Sequence, residues 1–292
     1  MTYNELWRQL VQIYDEGEAK AIARMVYEER FGLTLSDIYL GRETQLSAAD
    51  QTELQFIAKR LLQGEPIQYV LGQADFCGRT FMVNEHVLIP RPETEELCNW
   101  KPLPLPSPKG EGAKILDIGT GSGCIAITLA AMYPEAQVIG WDISEDALEV
   151  AKINAIRNNV NVSFEQVDVL NLPSPLPFGG GRGEALSLIV SNPPYICNKE
   201  RAAMAVNVLE YEPHTALFVP DDDPLLFYRA IAQFGQTALK QGGWLYFEIN
   251  PLYAREMCDM LRLMSYHDIE LKADQYGKQR MIRAQKGKKV KK

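Results

Sequence analysis

Four consecutive residues, Asn192, Pro193, Pro194 and Tyr195, follow the apolar run LSLIVS and are the strongest candidates for chemistry in the chain. A side-chain carboxamide oxygen and a neighbouring main-chain carbonyl can each accept one N–H from a planar NH2 group. The lone pair of such a nitrogen is delocalised, so it must be held and presented in line to an electrophile such as a sulfonium methyl. Two fixed acceptors favour lone-pair character and match the positive charge that develops. The prolines preserve the geometry: Pro193 keeps Asn192 extended and Pro194 does the same for Pro193, so little entropy is lost on binding. Tyr195 offers a flat face for a planar group to lie against. A rigid Pro-Pro turn that merely ends a strand is the structural alternative.

A second constellation lies upstream. KILDIGTGSGC (114 to 124) reads as a strand running into Gly119, Thr120, Gly121, Ser122 and Gly123, and a helical run follows. Glycine at alternate positions allows a sharp turn and close approach of the backbone to a ligand. The spacing is G-x-G-x-G, whereas nicotinamide sites favour G-x-G-x-x-G, which weighs against a dehydrogenase. Asp142 ends the next strand, VIGWD, where an acidic side chain accepts from both ribose hydroxyls of a nucleoside. Asp168, closing FEQVD, is placed toward the adenine end with Val169 beside it, although a helix N-cap also suits a strand-end aspartate. Asp117 either touches the far end of such a ligand or braces the loop.

These residues need elements to hold them. From Tyr3 to about Leu62 apolar residues recur at helical spacing (Leu6, Leu10, Ile13; Leu54, Ile57, Ala58, Leu61), and Ser47 with Asp50 suits a capping start. Residues 1–70 therefore read as a small helical domain, and 71–87 as a hairpin linker built from extended pieces, QYVLG and RTFMV, punctuated by Gly72 and Gly78. Residues 88–285 form the α/β catalytic domain. There, from Lys114, short β-rich runs (KILDI, QVIGW, VSFEQV, LSLIV, WLYFEI) alternate with helical stretches, which implies a mostly parallel sheet covered by helices on both faces. Two Pro/Gly-rich segments, Pro102 to Gly112 and Pro173 to Glu184, read as surface loops. The run 286–292, with five lysines, reads as a solvated tail.

The 292 residues include 46% hydrophobic and 23% charged positions, which excludes a disordered chain. No apolar run reaches a membrane-spanning length, and the mixed-polar start is unlike a signal peptide, so a cytoplasmic protein is expected. Five scattered cysteines without a C-x-x-C pair and three distant histidines give no disulfide framework and no metal site. The net charge of -8 repels a phosphate backbone and attracts a basic partner.

At this point the chain resembles, over almost its whole length, the HemK/PrmC-type release factor glutamine methyltransferases. Besides LDIGTGSG and NPPY, the resemblance is carried by GEPIQYVLG (64 to 72), VLIPRPETE (87 to 95), EYEPHTAL (210 to 217) and the D-x-x-G-x-x-R of Asp274, Gly277 and Arg280. It implies a Rossmann-like class I methyltransferase that uses S-adenosylmethionine, with an N-terminal helical domain that helps bind the release factor. It assigns Gly119 to Gly123, Asp142, Val169 and Asn192 to the cofactor, and Asn192 to Tyr195 to the substrate glutamine of a Gly-Gly-Gln motif. Val169 stands where some relatives carry an aromatic residue, Asn250 where a glycine is common, and the two Pro/Gly-rich inserts are unlike the family. The chain is expected to act as a monomer without direct nucleic-acid binding. Two rivals stay open: an adenine-N6 nucleic-acid methyltransferase, whose exocyclic amine is also a planar NH2, and a non-catalytic adaptor on the same fold.

Overall fold

The computed structural model describes residues 1–100, 112–172 and 185–287. Both Pro/Gly-rich segments, except Gly112, and the tail beyond Gly287 lie outside the described residues. In chain order the helices are α1 (Tyr3–Leu10), α2 (Glu16–Met25), α3 (Leu35–Tyr39), α4 (Ala48–Leu62), α5 (Ile67–Leu71), α6 (Pro92–Cys98), α7 (Cys124–Met132), α8 (Glu145–Arg157), α9 (Val206–Tyr211), α10 (Leu226–Ala238) and α11 (Ala254–Leu263). The strands are β1 (Gln73–Phe76), β2 (Arg79–Met82), β3 (Lys114–Ile118), β4 (Gln137–Asp142), β5 (Val162–Gln166), β6 (Leu186–Ser191), β7 (Ile196–Cys197), β8 (Phe218–Val219), β9 (Leu239–Glu248), β10 (Tyr266–Ala273) and β11 (Gln279–Lys286). Among the described residues no helix is long and apolar enough to cross a membrane.

The chain divides into two compact units, residues 1–73 with 204–211, and residues 74–203 with 212–292. In the first, helix starts are fixed by local chemistry. Thr2 with Glu5, Thr34 with Asp37 and Ser47 with Asp50 form reciprocal capping boxes, each satisfying backbone donors that a helix leaves open. Leu6, Leu10, Ala19, Val26, Tyr27, Leu54 and Leu61 close the bundle core. The segment QYVLG, read from the sequence as extended, is helical in α5. Gly72 at φ 72° caps it, and five residues are too few for a helical period to register against the neighbouring extended pieces. Helix α9 belongs to this unit although more than 130 residues of sequence separate it from α5, and Tyr211 donates its hydroxyl to the Gln63 carbonyl at 2.9 Å.

The second unit is built on a seven-stranded sheet in the order β10-β11-β9-β6-β3-β4-β5. Strands β9, β6, β3, β4 and β5 run parallel, whereas β11 and β10 pair antiparallel along one edge. Strict alternation supplies both faces with apolar side chains. Leu116, Ile118, Ile139, Trp141, Ile189, Leu245 and Phe247 pack in one cluster with residues of α10 and α11; Ile115, Val138, Leu188, Val190 and Tyr246 pack in the other with residues of α6 and α7. Lys286, read as the first residue of a solvated tail, is instead the last of β11. It is buried, and its ammonium donates to the Leu239 carbonyl at 2.5 Å.

From β3 the chain winds outward through β4 to β5, then returns to place β6 on the other side of β3. The carboxyl ends of β3 and β6 thus flank the point where the strand order reverses, which is where open α/β sheets bind ligands. The loops leaving those two strands are Gly119–Gly123 and Asn192–Tyr195, and Ser191 Oγ ties them together by donating to the Ile118 carbonyl at 2.6 Å.

Candidate active site

The glycine turn is shaped by backbone sterics. Gly119, Gly121 and Gly123 have φ of 72°, 54° and 80°, the left-handed region that a Cβ disfavours. A Cβ on Gly119 or Gly121 meets nothing within 4 Å, so both face open space, whereas one on Gly123 would lie 3.0 Å from Ile127 Cδ1 and 3.2 Å from Ala151 Cβ. The first two glycines therefore shape the rim of a cavity, and the third lets α7 and α8 pack closely. The sequence did not single out Gly140, yet a Cβ there would sit 2.9 Å from Thr120 Oγ1 and 2.8 Å from the Phe164 ring.

Two carboxylates hold this turn. Asp142 accepts from the Gly121 N–H at 2.8 Å and the Ser144 N–H at 3.0 Å; burial raises its pKa against those donors. Asp117 alternates to the α7 face of the sheet. There it accepts from Thr120 Oγ1 at 2.6 Å and from the Ala126 N–H at 3.2 Å, and its other oxygen is buried without a partner. Burial pushes its carboxyl up to about 7, opposed by those two donors and reinforced by Asp142. Of the two roles open for Asp117, these bonds are those of a brace. Asn154 on α8 adds a third tie: its amide donates to the Ser122 and Met82 carbonyls and accepts from the Met82 N–H, joining the turn to β2.

A cavity of about 400 Å³ opens over the switch point, within the size range of small-molecule sites. Gly119, Thr120, Gly121, Ser122, Asp142, Asp168, Val169, Asn192, Pro193 and Pro194 all line it. Gly123 and Tyr195 do not. Asp168 engages both carboxylate oxygens locally, accepting from the Leu170 N–H at 2.9 Å and from Asn171 Nδ2 at 2.7 Å, so in this structure it also caps the turn that carries Val169. Val87, Ile89, Pro90 and Arg91 contribute a wall from the VLIPRPETE stretch. That wall is anchored on Glu212, which is 3% exposed and accepts from Arg91 at 2.5 Å and from the Ile89 N–H at 3.2 Å.

The tetrapeptide is held from behind. Tyr195 packs against the core, and its hydroxyl donates to Glu248 at 2.9 Å; burial and the Glu248 charge raise its pKa well above the usual range. Asn192 Nδ2 donates to Thr94 Oγ1 at 3.3 Å. Asn250 donates from Nδ2 to the Tyr195 carbonyl at 3.1 Å and to Glu200 at 3.0 Å, so a residue that departs from the usual glycine here tethers the tetrapeptide. Sequence reasoning missed Thr94, Glu212 and Glu248 as site residues. The available signal was a charged residue ending an apolar strand (WLYFE) and two acidic stretches carried only by resemblance.

The arrangement fits S-adenosylmethionine on its own terms: two glycines facing open space, an acidic strand end beside them, and apolar walls at Val169 and Ile143. Comparison with known proteins agrees. Residues 4–72 match a family described as the PrmC N-terminal domain, and residues 109–204 match a methyltransferase domain. A release factor glutamine methyltransferase of Bacteroides thetaiotaomicron is 44% identical over 277 residues, covering 95% of this chain and 96% of that one. Its counterpart in Flavobacterium psychrophilum is 41% identical, covering 94% of each. A solved methyltransferase of Pyrococcus furiosus shares the fold, with a TM-score of 0.51 at 15% identity, covering 83% of this chain and all of that one.

Proposed function

The chain belongs to the release factor glutamine methyltransferase family, and from that premise we propose that it methylates the side-chain nitrogen of the glutamine in the Gly-Gly-Gln motif of peptide chain release factors. It is an S-adenosylmethionine-dependent methyltransferase. The observation that supports the reading is that Asn192 and Pro193 line the same cavity as Gly119, Gly121 and Asp142.

Bound there, S-adenosylmethionine supplies a methyl group on a positively charged sulfur. The Gly119–Gly123 turn and Asp142 would hold its nucleoside, Asp142 by accepting from the ribose hydroxyls, and Asp168 and Val169 would serve the adenine side. Asn192 Oδ1 and the Pro193 carbonyl each accept one N–H of the glutamine NH2, which fixes the nitrogen and leaves its lone pair facing the methyl. In the transfer the methyl–sulfur bond would break with its electron pair staying on sulfur, which leaves as a neutral thioether, while the glutamine nitrogen would gain the methyl carbon and give up one proton to solvent, becoming a secondary amide. Preorganised oxygens stabilise the charge that builds on it meanwhile, so no strong general base is required. Tyr195, which packs against the core and does not line the cavity, secures the tetrapeptide through Glu248.

We infer that the enzyme works in the cytoplasm as a monomer, and its net charge of -8 favours an encounter with a basic surface on its partner. The test is mass spectrometry of a release factor after incubation with enzyme and S-adenosylmethionine. One added methyl on the glutamine of the Gly-Gly-Gln loop is the expected result. An unmodified release factor together with methyl on adenine of added DNA would assign the enzyme to the nucleic-acid class instead.

A further inference from the structure

An amide side chain looks alike from either end, yet only one end of Asn192 can accept an N–H. Something must decide which end faces the cavity, and the groups behind the tetrapeptide do so by counting protons.

Glu248 ends β9 and is 2% exposed. One carboxylate oxygen accepts from Thr94 Oγ1 at 2.6 Å, and the other accepts from the Tyr195 hydroxyl at 2.9 Å. Burial raises the Glu248 pKa, and the Thr94 and Tyr195 hydroxyls together with Arg280 act against that rise. Both hydroxyls donate to Glu248, so each commits its single proton to it. Thr94 Oγ1 then offers only lone pairs to its remaining neighbour. The Asn192 amide, 3.3 Å away, satisfies those lone pairs with Nδ2–H and so turns Oδ1 away from Thr94. With the amide reversed, Oδ1 would face an oxygen that has no hydrogen to give, and Nδ2 would confront the NH2 of the substrate, donor against donor.

Resting on the reading that Asn192 Oδ1 grips the substrate NH2, we propose that Thr94 and Glu248 are positioning residues that lock the Asn192 amide with its oxygen toward the substrate. Glu248 does not line the cavity and is bonded to Thr94 and Tyr195; Thr94 does line it, and its hydroxyl is committed to Glu248 and to the Asn192 amide, through which it acts. The relay joins residues from three distant parts of the chain, the start of α6, the end of β6 and the end of β9, at the switch point. It explains why a buried carboxylate stands where an apolar strand residue would be less demanding, since a neutral hydroxyl or amide can both give and take and would leave the orientation undecided.

Two variants separate positioning from packing. Thr94→Val removes the hydroxyl and keeps the shape; Thr94→Ser keeps the hydroxyl. On a release factor substrate, Thr94→Val is expected to lower kcat by about 10- to 100-fold, with KM and S-adenosylmethionine affinity within about threefold of the parent, and Thr94→Ser to restore most of the rate. Glu248→Gln, which must donate to one of the two hydroxyls, is expected to show the same loss in kcat and serves if the valine variant melts early. A readout that needs no substrate runs alongside. In protein labelled with 15N-asparagine, with the signal assigned by its loss in Asn192→Ala, one Asn192 side-chain amide proton should exchange slowly in the parent and in Thr94→Ser, and fast in Thr94→Val and Glu248→Gln. Equal exchange in all four proteins overturns the proposal whatever the substrate is. So does a parent-like kcat in a folded Thr94→Val enzyme. A parent that shows the protected amide but leaves release factors unmodified would refute the functional reading and leave the lock intact.

Discussion

At the scale of single residues, the site separates groups that face the ligand from groups that hold the frame. Asn192→Ala removes an acceptor that works on the reacting nitrogen, so turnover should fall by at least about 10²-fold while cofactor affinity, measured by titration, stays within a few fold. Near-normal turnover would remove Asn192 from the reaction. Asp142→Ala loses an acceptor for the ribose as well as the brace on Gly121, and should weaken cofactor binding by about 1 to 3 kcal/mol. Asp117 acts on stability. Its carboxyl is pushed up to about 7 in the folded chain by burial, against roughly 3.9 in an unfolded one. The fold therefore binds the proton more tightly, so this contribution is full below about pH 4 and is lost as pH rises through about 7. Without cofactor, the melting temperature of the parent relative to Asp117→Asn should drop between pH 5 and pH 8, by on the order of 5 °C. A gap that stays constant across that range would show that Asp117 does not titrate there.

At the scale of elements, the three glycines of one turn do different work, and this can be measured. Gly123→Ala drives a Cβ against Ile127 and Ala151 at a φ of 80°, so it should destabilise the fold by about 1 to 3 kcal/mol through α7 and α8. Gly121→Ala meets open space and carries only the cost of a left-handed residue, about 1 kcal/mol, and its main effect should be on cofactor affinity. Denaturation and cofactor titration of both variants would show equal patterns if the assignment were wrong. The same turn shows what a sequence can reveal. Strands β3, β4 and β6 were legible because burial on both faces leaves continuous apolar runs, and α8 because Ser144 caps its start. Strands β10 and β11 were not, because an antiparallel edge mixes polar and apolar residues and is interrupted by register shifts. The Asp274 turn between them was visible only by resemblance; in the structure its carboxylate accepts from the Tyr276 and Lys278 N–H groups and from Arg280. Thr94 and Glu248 stayed hidden for a different reason. Their bond spans 154 residues, and no local pattern encodes a contact at that separation.

At the scale of the whole molecule, charge favours one of the two substrates that present a planar NH2. A phosphate backbone is bound by cations that are free to replace its counterions. This chain carries a net charge of -8, and many of its described arginines already face acids: Arg24 with Glu28, Arg60 with Glu65, Arg91 with Glu212, Arg229 with Asp223, Arg262 with Asp259, Arg280 with Asp274 and Arg283 with Glu270. Such pairs add little stability where they are exposed, but each withdraws a cation that a nucleic-acid track would use. A basic protein partner is treated the opposite way, since an acidic surface raises its encounter rate and the gain fades as salt screens the field. Two measurements on one enzyme therefore diverge. The kcat/KM for a release factor should fall as salt rises from about 50 to 300 mM, while excess duplex DNA should leave that rate unchanged at about 150 mM salt. Competition by DNA, with a logarithmic salt slope of several units, would mean that a phosphate-binding surface exists and would move the NPPY site back toward adenine as its substrate.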